Sequence, residues 1–283
     1  MKPLADRLPA PTLVILAGLT VQLGSALAKS VFDLAGPLGT VFLRVALSAA
    51  LLFMLWRPGW HNARPHWPLV MAYGGVLTLM NTSFYLAIDR IPLGVAVAVE
   101  FTGPLGLAVI KSRRWLDLLW VLLAAFGVIL LAPLQQGSGL DPVGLGFAGI
   151  ASLAWAGYIL LAQATGKVVP GIEGLVWGMV FGTCLLMPIG IGAAGTALLD
   201  GKLIAIATAV AALSSATYAL ELVALRRLPV NVFGVLLSVE PMLAAASGFL
   251  VLGETLTVRS TVAVFLISVA AAGSARYGVP VGE

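Results

Sequence analysis

The chain has 283 residues, of which 60% are hydrophobic and only 10% are charged. Soluble domains carry about 25% charged residues, so this composition excludes an ordinary soluble protein and favours the lipid bilayer as the environment of the chain. The net charge of +4 comes from basic residues scattered between apolar runs, which excludes the basic stripe of a nucleic-acid-binding protein.

Ten apolar stretches follow one another along the chain, and each is bounded by charged residues, glycine or proline. They cover residues 12–31, 37–56, 68–88, 92–110, 116–134, 142–163, 172–194, 203–225, 230–252 and 260–277. A helix of about 20 residues spans a hydrocarbon core of about 30 Å. The fold class that we predict is therefore an all-α integral membrane protein with ten transmembrane helices.

The lysine and arginine positions predict the orientation of the helices, because cytoplasmic loops carry an excess of both residue types. With both termini inside, the cytoplasmic side holds eleven: Lys2, Arg7, Arg57, Arg64, Lys111, Arg113, Arg114, Lys167, Arg226, Arg227 and Arg276. The outer side holds Lys29, Arg90, Lys202 and Arg259. We therefore expect cytoplasmic N and C termini. We expect the Lys29 ammonium group to reach the outer interface as its stem lies along the helix.

The second half of the chain repeats features of the first half at a constant offset. Arg90-Ile91-Pro92 opens the fourth stretch, and Arg227-Leu228-Pro229 opens the ninth. Pro104 and Pro241 each lie twelve residues beyond the proline of these tripeptides, so that all three matches share an offset of 137 positions. Matches at one offset indicate an internal duplication.

A duplication of five helices has a consequence for topology. Because five is odd, the second copy is inverted in the membrane relative to the first. Inverted repeats whose helices are interrupted by proline are typical of secondary transporters, which bind their substrate near the midplane between the repeats. We predict a first five-helix repeat at residues 1–137 and a second at 138–283, which together form one transmembrane domain.

Charged residues inside the spans are candidates for the site, because each costs about 2.5–3.5 kcal/mol to insert. Glu100 lies eight residues beyond Pro92 and Glu240 lies eleven beyond Pro229, or roughly 12 and 16 Å into the membrane. We expect both glutamates to bind substrate and to couple transport to protons. Arg44, in the second span, either binds a substrate carboxylate or neutralises a buried glutamate.

Other polar and aromatic residues lie near or within spans. Asn81, Tyr85, Trp155 and Tyr158 are either cavity-lining residues or packing residues. Glu221 lies near the inner end of the eighth span, where it either pairs with Arg226 or Arg227 at the interface or belongs to the site.

Catalytic and cofactor motifs are absent from the sequence. His61 and His66 share a predicted loop without cysteine or carboxylate neighbours, which makes a metal site improbable. No phosphate-binding loop, dinucleotide fingerprint or nucleophile elbow occurs. We therefore expect no cofactor, no metal and no enzymatic activity.

Several motifs resemble the drug/metabolite transporter superfamily. They are Glu100-Phe101-Thr102-Gly103-Pro104, Ser238-Val239-Glu240-Pro241 and Leu252-Gly253-Glu254-Thr255-Leu256, together with Ser25-Ala26-Leu27-Ala28-Lys29-Ser30 and Phe84-Tyr85-Leu86. More narrowly, they are similar to the EamA-type exporters of threonine and homoserine in the bacterial inner membrane. The resemblance implies a ten-helix inverted repeat with a central cavity and proton-driven export. It also implies cavity-lining roles for Glu100, Tyr85, Asn81, Trp155, Tyr158 and Glu240.

The resulting hypothesis is proton antiport of a small neutral amino acid. A zwitterion needs an anionic partner for its ammonium group and donors for its carboxylate, which Glu100 or Glu240 and Arg44 could supply. The alternative within the same fold is export of another metabolite, a nucleobase or a cationic drug, since an aromatic cage with one glutamate suits a cation. An intramembrane enzyme and a passive channel fit the sequence less well.

Overall fold

The computed structural model describes residues 8–111, 115–131, 140–225, 227–228, 233 and 236–277. Within these ranges the regular structure is helical, without a strand. The predictions made for Lys2, Arg7, Arg113, Arg114, Arg226 and Pro229, and the repeat boundary at residues 137 and 138, lie outside the described residues.

The described residues form ten apolar helices, which confirms the predicted all-α membrane fold. They are α1 (Ala10–Lys29), α2 (Phe32–Trp56), α3 (Trp67–Ile88), α4 in the parts α4a (Leu93–Glu100) and α4b (Thr102–Lys111), α5 (Trp115–Leu131), α6 (Pro142–Val168), α7 (Glu173–Ala194), α8 (Gly201–Leu225), α9 (Glu240–Leu252) and α10 (Val258–Tyr277). Five of the helical segments, those that contain α1, α2, α3, α6 and α7, are long and apolar enough to cross a membrane, and the other five are shorter.

Proline and glycine account for the irregular points of these helices. The two parts of α4 meet at Phe101, close to Pro104, whose missing N–H removes the helical partner of the Glu100 carbonyl. α2 contains a kink at Gly36, which has a φ of 64° ahead of Pro37. Pro241 lies in the first turn of α9, where a proline costs the helix no hydrogen bond.

The contacts between helices repeat when the first five helices are exchanged with the last five. α1 packs on α8 as α6 packs on α3, and α9 packs on α1 as α4 packs on α6. α7 packs on α3 as α2 packs on α8, while α2 pairs with α7 and α4 with α9. When each helix is exchanged with the one five places along, the first three pairs of contacts interchange and the α2–α7 and α4–α9 contacts map onto themselves.

The centre of the bundle is formed by α4a and the helices around it. All residues from Leu93 to Val99 are buried, which is unusual for a helix that is not enclosed by others. α4a approaches α9 closely at Gly94, where an added Cβ would lie 2.6 Å from the Cβ of Ala245. Large apolar side chains such as Leu153 and Leu250, which are 75% and 76% exposed, cover the outer surface, as expected of helices that face lipid.

Candidate functional site

A cavity of about 150 Å³ lies near the middle of the bundle, lined by residues of α1, α2, α3, α4a, α6, α8 and α9. Six of the residues predicted from the sequence line it: Glu100, Glu240, Arg44, Asn81, Trp155 and Tyr158. These residues come from both halves of the chain, so the cavity lies between the two groups of five helices.

Tyr85 lies behind the cavity wall. Its side chain is fully buried and packs against Phe32, with ring centroids 5.6 Å apart. The Cζ atom of Arg44 lies 5.4 Å from the centroid of the Tyr85 ring, within the range of a cation–π interaction. Tyr85 therefore packs against Arg44 from outside the cavity and does not line it.

Arg44 is the basic residue of the cavity lining. Its Nη1 donates to Asn81 Oδ1 at 2.9 Å, and its Nε donates to Ser214 Oγ at 3.3 Å. Asn81 is itself fixed, because its Nδ2 donates to the Leu77 carbonyl at 2.8 Å. These contacts orient the planar guanidinium group on the cavity wall.

Glu240 lies at the first turn of α9, opposite α1. Its Oε2 accepts a hydrogen bond from Gln22 Nε2 at 3.1 Å. Gly18, one turn before Gln22, leaves room for the glutamate, because an added Cβ would lie 3.2 Å from Glu240 Cγ. Glu240 is 8% exposed, so Gln22 is a main source of polar contact for a carboxyl group with little access to water.

Glu100 ends α4a at the break between the two parts of α4. The next residue, Phe101, packs edge-to-face on Trp155 with centroids 4.8 Å apart. The hydroxyl groups of Thr102 and Ser152 form a hydrogen bond of 3.0 Å. The break thus fixes Glu100 and Trp155 on neighbouring parts of the wall, while Tyr158, further along α6, stacks on Tyr73 at 5.4 Å.

Of the two roles considered for Glu221, the structure supports the one at the site. Glu221 lines the cavity, while Arg227 donates to the carbonyl of Leu8 at 3.4 Å and Arg226 lies outside the described residues. The physical reason is the direction of the side chain: Ser214, Thr217 and Glu221 are spaced i, i+3 and i+7 and therefore share one face of α8. All three line the cavity.

Two further residues on α1 were missed by the sequence analysis. Gln22 and Ser25 both line the cavity, and with Gly18 they are spaced i, i+4 and i+7. This spacing of small and polar residues, like that on α8, was the available signal for the inner faces of the two helices.

Lys29, the last residue of α1, makes two contacts with other parts of the chain. Its Nζ lies 2.6 Å from Glu254 Oε1 and donates to the Ile91 carbonyl at 3.2 Å. Hence Lys29 connects α1 to the segments before α4 and after α9.

No group of three or more histidine, cysteine, aspartate or glutamate side chains within the described part of the chain could hold a metal ion.

Comparison with known proteins places this geometry in context. Residues 142–276 match the EamA-like transporter family. The chain is 42% identical over 269 residues to proteins named threonine/homoserine exporter RhtA in Salmonella typhimurium strain LT2 and Escherichia coli strain K12. Each match covers 93% of this chain and 90% of the relative.

The fold also occurs among solved structures. One crystal structure of a protein superimposes on the chain with a TM-score of 0.61 and 18% sequence identity. The match covers 93% of this chain and 96% of the other. At this identity the likeness concerns the fold alone.

Proposed function

Because the chain belongs to the EamA-like transporter family, we propose that it exports small neutral amino acids of the threonine/homoserine type in exchange for protons. The name of the 42% identical relatives supports the substrate class. The observation that carries the proposal is the cavity itself, in which one guanidinium group and three carboxyl groups line a small space.

This set of groups suits an amino-acid zwitterion. The substrate carboxylate binds Arg44, because the planar guanidinium group matches a carboxylate with two parallel hydrogen bonds. The substrate ammonium group binds Glu240 or Glu100. Ser25, Ser214 and Thr217, which line the same cavity, are available to the hydroxyl group that threonine and homoserine share.

The size and charge of the cavity favour a small zwitterion over the alternatives. Its volume of about 150 Å³ is below the roughly 300–1,000 Å³ of pockets for drug-sized ligands. A cationic drug would also meet the positive charge of Arg44. A nucleobase carries no carboxylate that could bind the guanidinium group.

Proton coupling follows from competition for one carboxyl group. A glutamate far from water is neutralised either by a proton or by the ammonium group of the substrate. Gln22 supports both states of Glu240, since its amide donates to a carboxylate and, turned over, accepts from a protonated carboxyl group. Substrate and proton therefore occupy the site in turn, which couples their movements in opposite directions.

Alternating access requires the two halves to move against each other. The reciprocal packing of the first and last five helices supports two inverted repeats, at residues 1–137 and 138–283. In this arrangement both termini are cytoplasmic, and the end of the bundle that holds Lys29 faces outward. Rocking of the repeats then exposes the cavity to each side alternately.

Uptake into everted membrane vesicles tests the proposal. Labelled threonine and homoserine should accumulate when a proton gradient, acidic inside, is imposed and should only equilibrate without one. Glu100→Gln and Glu240→Gln should each abolish accumulation, because glutamine keeps the shape but takes up no proton. Full gradient-driven accumulation in Glu100→Gln would remove Glu100 from the coupling role. No accumulation of either amino acid by the wild type would overturn the substrate class.

Glu221 provides a test of how far the proton site extends. Glu221→Gln should reduce accumulation while exchange of labelled for unlabelled threonine continues, if this third carboxyl group carries protons and does not bind substrate. Equal losses of accumulation and exchange would assign Glu221 to substrate binding instead.

A further inference from the structure

Four groups from three parts of the chain meet at one end of the bundle. Lys29 ends α1, Ile91 lies just before α4, Leu93 begins α4, and Glu254 follows α9. Lys29 Nζ contacts Glu254 Oε1 at 2.6 Å and the Ile91 carbonyl at 3.2 Å. We call this set of residues the outer junction.

Glu254 makes two contacts at once. While Oε1 pairs with Lys29, Oε2 accepts a hydrogen bond from the backbone N–H of Leu93 at 2.8 Å. Leu93 is the first residue of α4a, and the N–H groups of a first helical turn have no partner inside the helix. A carboxylate at a helix N-terminus is also favoured by the helix dipole. Glu254 thus caps α4 and holds Lys29 with the same side chain.

Two glycines, Gly253 and Gly248, allow Glu254 to reach this position. Gly253, with a φ of 68°, ends α9 in the left-handed conformation that glycine favours and turns Glu254 back toward the bundle. The carboxylate then lies over Gly248, where any Cβ would collide with Glu254 Oε2. The side chains of Lys29 and Glu254 are only 20% and 14% exposed, so the pair is shielded more than a surface ion pair is.

The outer junction lies directly above the cavity. Ser25, one turn before Lys29 on α1, lines the cavity. Glu100 ends the helix that Leu93 begins, and the intervening residues are all buried. A helical rise of about 1.5 Å per residue puts roughly 10 Å between the two ends of α4a. Whatever holds Leu93 therefore also holds Glu100.

From this geometry we propose that Glu254 is a positioning residue for transport. Together with Lys29 it closes the outer side of the cavity by joining α1, α4 and α9, and it fixes the helix that carries Glu100. Opening of the cavity to the outside requires this junction to separate. The proposal rests on the proposed transport function and on its outward orientation of the Lys29 end.

Thiol modification tests the closure without reference to any substrate. Cys184 is the single cysteine of the chain and is replaced first by Cys184→Ser. Ser25→Cys then places a thiol in the cavity below the junction. Ser30→Cys places one at an exposed position just beyond α1. A charged thiol reagent that does not cross membranes is added to intact cells, and its rate of reaction with each thiol is measured.

The expected rates differ between the junction variants. Lys29→Gln and Glu254→Gln should each speed modification at position 25 about tenfold or more, the factor that loss of one charge-assisted hydrogen bond carries. Glutamine at 254 still offers an oxygen to the Leu93 N–H, so this variant isolates the ion pair. Lys29→Arg, which keeps the charge, should stay near the wild-type rate.

A second ion pair at the same end serves as the matched control. Arg90 Nη1 contacts Asp141 Oδ2 at 3.0 Å, but this pair joins the end of α3 to the start of α6 and leaves α1 and α9 untouched. Arg90→Gln should therefore leave the rate at position 25 unchanged. A rise in Arg90→Gln equal to that in Glu254→Gln would show a general loosening and overturn the specific role of the junction.

The remaining outcomes separate the junction from the transport proposal. Unchanged rates at position 25 in both Lys29→Gln and Glu254→Gln would refute the closure, whether or not threonine is transported. Rapid labelling at position 30 from outside in every variant shows that the protein is inserted as proposed. Labelling there only from inside would contradict the outward orientation on which the proposal depends.

Discussion

Substitution of Arg44 by lysine tests the assignment of the substrate carboxylate most directly. The variant keeps the positive charge but loses the planar group that Asn81 and Ser214 orient at 2.9 and 3.3 Å. A lysine ammonium group makes a point contact where arginine makes two parallel bonds to a carboxylate. The loss is one charge-assisted hydrogen bond, about 1.5–3 kcal/mol, so threonine should bind about 10- to 150-fold more weakly.

The assay compares two ligands by calorimetry on the purified protein in detergent. Threonine carries the carboxylate, whereas threoninol has a hydroxymethyl group in its place and keeps the ammonium and hydroxyl groups. The wild type should prefer threonine, and Arg44→Lys should reduce this preference by weakening threonine alone. If threoninol loses the same factor as threonine, Arg44 acts through the shape of the cavity and not on the carboxylate. If threonine binding is unchanged, the assignment is wrong.

Three more predictions follow from individual contacts. Glu240→Gln should abolish gradient-driven accumulation of threonine in everted vesicles but keep its thermal unfolding midpoint, since glutamine retains the shape of the side chain; a large fall in the midpoint would assign Glu240 a structural role. Gly94→Ala should destabilise the protein by about 1–3 kcal/mol, the cost of overpacking, because the new Cβ would lie 2.6 Å from the Cβ of Ala245. The control is Gly106→Ala, where the added Cβ enters open space on the same helix, and equal thermal unfolding midpoints of the two variants would contradict the close packing. The hydrogen bond from Arg90 holds the pKa of Asp141 below its ordinary value, so the stability that the Asp141 carboxylate contributes is present above its unfolded pKa of about 3.9 and is lost as the pH falls further. The unfolding midpoints of Asp141→Asn and the wild type should therefore converge below this pH, and a difference that stays constant with pH would refute the linkage.

The ten helices could be predicted because apolar length alone identifies a membrane span. The observed start of α2 at Phe32, before the predicted start at residue 37, shows where this signal fails. The glycine and proline at positions 36 and 37 predict a boundary, but a glycine with positive φ kinks the helix there without ending it. Linear hydropathy does not distinguish a kink from a terminus.

The candidate site could be predicted only where a residue is costly by itself. Glu100, Glu240 and Arg44 are recognisable because a charge inside a span is expensive. The depth of Glu221 along the span leaves both of its roles open, whereas the direction of its side chain around the helix decides what it faces. The i, i+3, i+7 spacing from Ser214 carries that information, but only once the cavity is known to lie on that side of α8.

Long-range pairing is what the sequence could not supply. Lys29 and Glu254 are 225 positions apart, and each has an ordinary explanation alone, as an interfacial lysine and as part of a family motif. Their relation depends on the ends of α1, α4 and α9 meeting at one place. It becomes visible only when the helices are packed.

The junction and the cavity are joined through α4a, and this has a consequence for alternating access. Because every residue from Leu93 to Val99 is buried, α4a cannot bend gradually toward water without losing contacts along its whole length. Its close approach to Ala245 at Gly94 further restricts sliding against α9. In the proposed mechanism the helix moves as one body, so that release of Leu93 by Glu254 at one end shifts Glu100 at the other. Under the same proposal, a substrate or proton that changes the position of Glu100 acts on the outer junction through this helix, and occupancy of the site is thereby coupled to closure of the outer side.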